Sequence, residues 1–244
     1  AILNGIYNGM IIEYYIQAVN SEGIIQTFPT TAPENTIIFI IGDLPDLYSN
    51  DFEVNSDGWV IGTLSDLATS GIWELAEPVA TYDDDGNQIQ PESDHSEFGS
   101  YCFITGNGYE DGNGGFDDVD AGRTSLLSPI FPLGSFDEII LSYWYWYTNN
   151  IGDNIGNDLW QVLVSNNGGI DWQELYVTSS STNEWKKERF ILSSYIELTN
   201  DMQFKFIAED LFYDGDAGSG GSLVEAALDE KNFEDIIVFP IAFP

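Results

Sequence analysis

The sequence predicts an all-β protein, a two-sheet antiparallel jelly-roll sandwich, and three observations predict it. Helical periodicity is almost absent along the 244 residues. Alternating and aromatic-rich runs recur throughout, separated by clusters of Gly, Asn, Asp and Pro. The 24 glycines suit a fold with many turns. A hydrophobic fraction of 43%, with 14% aromatic residues, is enough for a sizeable core and argues against disorder.

The elements follow in order. Residues 10–19 read as a strand, 20–23 as a turn and 24–28 as a second strand. Residues 30–33 break it, and 36–41 give a third apolar run. Two or three strands bury no core alone. Residues 1–42 are therefore expected to lean on the domain that follows or on a neighbouring chain, with 43–45 as a linker. The main domain is expected over residues 46–244.

Its clearest strand is 141–147, where Tyr143, Tyr145 and Tyr147 share one face and Trp144 and Trp146 the other. A strand aromatic on both faces is central and covered on both sides. Residues 160–164 and 171–177 flank a turn at 166–169, a hairpin. Met202, Phe204, Phe206 and Ala208 alternate with Gln203 and Lys205, as in a half-buried strand. Residues 236–239 read as the closing strand, and 223–228 as the one short helical turn. Cys102, the single cysteine, allows no internal disulfide and reads as a buried apolar residue.

Charge narrows the function. Asp and Glu number 41 against 6 Lys and Arg, a formal net charge of -35. Such a surface repels nucleic acid and anionic membranes and attracts cations. Solubility or a high-salt habit explains an acidic excess, but not the clustering of acids in Gly- and Asn-rich loops. Oxygen-rich loops are what a hard cation such as Ca²⁺ requires.

Two constellations stand out. In the first, Asp51 and Glu53 lie near the start of the main domain, and Glu225 and Asp229 near its end. First and last strands of a sandwich commonly lie side by side, and four carboxylates brought together need a cation. The competing reading is a set of exposed strand-edge acids. In the second, the spacing of Asp118 and Asp120 points both the same way from an extended segment, and Asp117 reaches in through the turn. The competing reading is a solvated loop with Arg123 neutralising one carboxylate. Residues 83–87, Asp-Asp-Asp-Gly-Asn, fail the EF-hand pattern and read as a hairpin turn.

Catalysis finds little support. His95 is the only histidine, so a zinc site of several histidines is excluded, and no nucleophile elbow is present. A glycosidase carboxylate pair carries no weight where acids are everywhere. The sequence predicts a protein that is not an enzyme. Trp59, Trp73, Trp160, Trp172 and Trp185 are candidates for a sugar platform, with core packing as the competing reading. No apolar run of 18 residues predicts a membrane span, and no Asn-x-Ser/Thr sequon occurs. The chain does not begin with Met and reads as processed or excised.

Several segments resemble a known family. They are Gly71-Ile-Trp-Glu-Leu-Ala-Glu-Pro78, Gln90-Pro-Glu-Ser-Asp-His95, Cys102-Phe-Ile-Thr-Gly106, Asp117-Asp-Val-Asp-Ala-Gly-Arg-Thr-Ser-Leu-Leu-Ser-Pro129 and Gly221-Ser-Leu-Val-Glu-Ala-Ala-Leu-Asp229. Together they resemble the bacterial jelly-roll modules that follow secreted metallopeptidases of the carboxypeptidase and immune-inhibitor type. These are similar to MAM domains and to the cleaved-adhesin modules of surface proteases. The resemblance spans residues 46–239 and implies a calcium-containing, galactose-binding-like sandwich in a secreted or cell-surface bacterial protein. It places calcium at the first constellation and adds Asp94 as a ligand, with His95 structural. Residues 8–23 resemble the last strands of a fibronectin-III-like domain, which makes 1–42 a partial domain.

The function expected from these readings is a non-catalytic, calcium-stabilised extracellular interaction module. Its partners would be neighbouring domains or copies of itself, in a surface fibre assembled by strand addition. The alternative is an accessory module that targets a secreted hydrolase to carbohydrate or protein.

Overall fold

The computed structural model describes residues 10–30, 32, 37–41, 46–54, 56, 58–108, 112–212 and 221–235. The chain forms two compact units, Ala1–Pro45 with Asp235–Pro244, and Asp46–Glu234. The expected linker at 43–45 and closing strand at 236–239 lie outside the described residues.

In the first unit, β1 (Met10–Tyr14) pairs antiparallel with β4 (Ile37–Ile41), and β2 (Ile16–Val19) with β3 (Ile25–Phe28). The strand expected over 10–19 is thus two strands, broken at Tyr15. Asn20 makes the β2–β3 turn, its Oδ1 accepting the N–H groups of Glu22 and Ile24 at 3.0 and 2.9 Å. Each of these four strands pairs with one other strand of the same unit. Chain reversal at Asn20–Gly23 is what closes the β2–β3 pair locally.

The second unit is an antiparallel sandwich. Its strands are β5 (Asp46–Asn50), β6 (Val60–Ile61), β7 (Trp73–Ala76), β8 (Thr81–Tyr82), β9 (Gln88–Gln90), β10 (Cys102–Thr105), β11 (Gly122–Leu127), β12 (Ile139–Thr148), β13 (Trp160–Ser165), β14 (Gln173–Thr178), β15 (Lys186–Ile191), β16 (Gln203–Asp210) and β17 (Glu225–Asp235). One sheet runs β15-β12-β17-β10-β7, with β5 also on β17; the other runs β14-β13-β16-β11-β6. These are the two sheets of the jelly roll.

The inner faces of both sheets meet in one aromatic core. Tyr143, Tyr145 and Tyr147 of β12, Trp160 of β13 and Phe204 and Phe206 of β16 lie in it, all buried. Tyr145 stacks on Trp160 with centroids 5.5 Å apart and planes 9° apart. The expected two-sided burial of β12 is found. Its outer-face Trp146 joins Cys102, Ile104 and Ala227 in a second cluster, against which Trp185 packs. The β8–β9 hairpin reaches this face. The Trp146 indole N–H donates to the Ile89 carbonyl at 2.6 Å.

Of residues 223–228, read from the sequence as a helical turn, 225–228 form instead the start of β17 and 223–224 lead into it. Ala226 and Leu228 face the main core while Ala227 faces the outer cluster. Tertiary pairing overrides the helix propensity of two alanines.

Candidate functional site

β17 carries two of the predicted carboxylates, Glu225 and Asp229, and the four-residue spacing puts both on the same face of the strand. The structure divides the first constellation between two groups.

Glu225 meets the acidic loop of the second constellation. Val119 N–H donates to the Val224 carbonyl at 3.0 Å and holds residues 117–120 beside the start of β17. Gly71 and Gly106 permit this approach. Both have positive φ, and a Cβ on Gly71 would run into the backbone of Asp118 and Val119. The Glu225 carboxylate is buried and accepts from Thr105 Oγ1 at 2.9 Å and Gln90 Nε2 at 3.3 Å. Burial, with Asp118 next in weight and Asp117 further off, pushes its carboxyl well above the usual range. Asp118, also buried, is raised to about 7 by burial, then by Asp120 and Asp117. Asp117 Oδ1 accepts the Gly71 N–H at 3.4 Å, and Asp120 Oδ2 accepts the Ser70 hydroxyl at 3.0 Å. Arg123 does not neutralise this loop. It lies opposite Glu209 in the β11–β16 register and counters the upward push of burial on that carboxyl.

Asp229 belongs to a different group. Its Oδ2 accepts the His95 and Ser96 N–H groups at 2.8 and 3.0 Å. Burial raises it to about 7 against the pull of those bonds, with a smaller upward contribution from Asp94. Asp94 Oδ2 accepts the Ser96 hydroxyl at 2.5 Å. Glu53 Oε1 accepts the N–H groups of Ser100 and Tyr101 at 2.9 and 2.7 Å. Asp94, Asp229 and Glu53 all bear on the buried Cys102 thiol, raising it after burial itself. Asp51 is exposed and accepts the Glu53 N–H at 3.3 Å. His95 stacks on Trp144 with centroids 3.6 Å apart, and its Nδ1 lies 2.8 Å from Glu230.

Among the described residues, no three His, Cys, Asp or Glu side chains converge to hold a metal ion. The carboxylates of Asp117, Asp118 and Glu225 are neighbours with no cationic partner among the described residues.

A cleft of about 640 Å³ lies elsewhere on this unit. It is lined by Asp83, Asp85, Asn87 and Gln88 of the β8–β9 hairpin, by Asn150 to Gly152 and Ile155 after β12, and by Asn183. Residues 83–87 form the expected turn, Asp83 Oδ1 accepting the N–H groups of Asp85 and Asn87 at 3.0 and 2.7 Å. The cleft is lined by carboxamides and carboxylates together with two aliphatic side chains, Ile151 and the exposed Ile155. Of the candidate platform tryptophans, Trp59, Trp73 and Trp160 are core, whereas Trp172 and Trp185 are half-buried. Lys205 covers the ring of Trp172, its Nζ 4.1 Å from the centroid. No helix among the described residues is long and apolar enough to cross a membrane.

No family model and no curated protein matches the sequence. Solved structures do resemble it. A carbohydrate-binding module in complex with beta-1,4-galactotriose shares 12% identity over 73% of this chain and 88% of its own, with a TM-score of 0.39. A xylan-binding domain of carbohydrate-binding family 22 shares 10% over 81% and 99%, with a TM-score of 0.43. The K1 cleaved adhesin domain of Lys-gingipain from Porphyromonas gingivalis W83 shares 13% over 77% and 97%, with a TM-score of 0.42.

Proposed function

We propose that the chain is a non-catalytic extracellular module that binds glycan in the cleft between the β8–β9 hairpin and the segment after β12. The observation that carries this reading is the lining of that cleft. Carboxamides donate to and accept from sugar hydroxyls, carboxylates accept from them, and the aliphatic side chains of Ile151 and Ile155 can meet the apolar face of a sugar ring. Neutral polymers fit best, because the cleft holds carboxylates and no cationic side chain among its lining residues.

Affinity electrophoresis in gels containing neutral or acidic polysaccharides tests it. Retention by a neutral polymer is expected, weakened about tenfold or more, roughly 1.4 kcal/mol, in the variant Asp85→Ala/Asn150→Ala. Absence of retention by every polymer, or retention indifferent to that variant, overturns the reading.

The same reading includes calcium as a structural ion. Asp117, Asp118 and Glu225 supply hard oxygen donors of the kind Ca²⁺ takes, and their mutual repulsion in a buried place is what a cation would relieve. Since no three such side chains among the described residues converge into a metal site, these three would have to close around the ion to hold it, and its positive charge would let Asp118 and Glu225 ionise together. Asp94, Asp229 and Glu53 are the weaker candidates, since backbone N–H groups already satisfy Asp229 and Glu53.

A further inference from the structure

The loop between β12 and β13 closes on itself at one end of the sandwich. Asn149 Nδ2 donates to the Asp158 carbonyl at 2.7 Å, and the Gly156 N–H donates to the Asn149 carbonyl at 3.0 Å. Asp158 in turn meets the end of β16, its Oδ1 accepting the Leu211 N–H at 2.8 Å. Trp160 lies opposite Ala208 in the β13–β16 register, so Asp158, two residues earlier, falls beside Asp210, two residues later.

Strand alternation decides where these side chains point. Tyr145 and Tyr147 of β12, Trp160 and Val162 of β13, and Phe206 and Ala208 of β16 face the main core. Asn149, Asp158 and Asp210 each stand two residues outward from the outermost of these, on the same inward face. Burial agrees, with Asn149 1% exposed and both carboxylates 0%. The aromatic core therefore ends in a polar cap of two carboxylates and one carboxamide. The carboxamide is the informative member. Its Nδ2 is engaged by Asp158, which turns Oδ1 away from that bond. There Oδ1 is buried and has no hydrogen-bond partner among the described residues. A buried acceptor without a donor is costly, and two carboxylates beside it supply no donor while ionised.

We propose that Asn149, Asp158 and Asp210 form a calcium site that pins both ends of the 149–158 loop to β16. Carboxylates joined by a carboxamide carbonyl are donors that Ca²⁺ takes, with backbone carbonyls and water completing its shell. The ion satisfies Asn149 Oδ1, and its charge lets two buried carboxylates stand side by side. The set shares no residue with the 117–120 loop or with Glu225. The pinned loop carries Asn150, Ile151, Gly152 and Ile155, one wall of the cleft. The calcium site rests on its own donors and not on what that cleft binds.

Calcium titration of the chelator-treated full chain, followed by calorimetry and by melting, is the test. Asp158→Asn/Asp210→Asn keeps the shape and removes both charges. This variant is expected to lose one calcium from the isotherm, or at least tenfold in affinity for it. An isotherm unchanged in this variant, including one that responds only to Glu225→Gln, overturns the proposal. Should the variant fail to fold, Asn149→Asp decides. A third carboxylate in the cap is expected to lower the melting temperature in chelator, by repulsion, and to restore it in calcium, by adding a ligand charge. A chain that melts equally early in both solutions, or folds in neither, overturns the proposal.

Discussion

Glu225 is held by two neutral donors, the Thr105 hydroxyl and the Gln90 carboxamide, in a place closed to water. A carboxyl in such a setting is stable in two forms, protonated or ionised against a cation. Glu225→Gln separates them. If the site is a neutral acid, the isosteric amide changes the melting temperature little. If calcium sits against Asp117, Asp118 and Glu225, the variant loses a ligand charge. Its calcium-dependent stabilisation should then fall by about 1–3 kcal/mol, read as a lower melting temperature in calcium than the native chain and an equal one in chelator. Equal melting of both chains in calcium would remove Glu225 from the ligand set. The sequence revealed part of this site. Asp117, Asp118 and Glu225 stand out as acids in a Gly-rich setting, and their charges are legible one by one. Gln90 and Thr105 are not, because a neutral amide and a hydroxyl become distinctive only when β9 and β10 bring them beside a residue more than a hundred positions away. Asn149, Asp158 and Asp210 were equally hidden, since three separate segments of the chain bring them together.

At the scale of elements, legibility followed how much of the pattern is local. β12 could be read because its rings alternate within eight residues, and β13, β14 and β16 because apolar residues recur at every second position around an evident turn. β17 could not, because Val-Glu-Ala-Ala-Leu has the composition of a helix and only its neighbours make it a strand. The pairing of Glu225 with Asp118, in place of Asp51, escaped for the same reason. It depends on the approach of loop 117–120 to β7 and β17, which Gly71 allows. At φ +61° with backbone in its Cβ direction, Gly71→Ala places a side chain where a left-handed residue costs about 1–2 kcal/mol and where the Asp118–Val119 peptide must also shift. The urea midpoint should drop accordingly. Gly86, in the β8–β9 turn, has a similar φ of +82° and nothing within 4 Å of its Cβ direction. Gly86→Ala is the control that isolates conformation from crowding, and a drop as large at Gly86 as at Gly71 would show that the close approach contributes nothing.

For the whole molecule, a net charge of -35 sets two effects of ions against each other. General screening acts on every exposed acid pair, since the Debye length falls to about 8 Å at 0.15 M salt. Sodium chloride should therefore raise the melting temperature gradually and without saturation at low millimolar levels. A bound divalent ion acts differently. It stabilises only the state that holds it, and above its dissociation constant each tenfold rise in concentration adds about 1.4 kcal/mol. Melting in chelator, in millimolar magnesium and in millimolar calcium, all at one ionic strength, distinguishes the two. A calcium-specific rise of several degrees over magnesium is expected, because Mg²⁺ requires tight octahedral geometry that carboxylates on a loop and a strand do not preform. Equal melting in the three solutions would leave screening as the whole effect of cations on this protein. The carboxyls of Asp118 and Glu225, both raised by burial, would then hold protons in place of a metal.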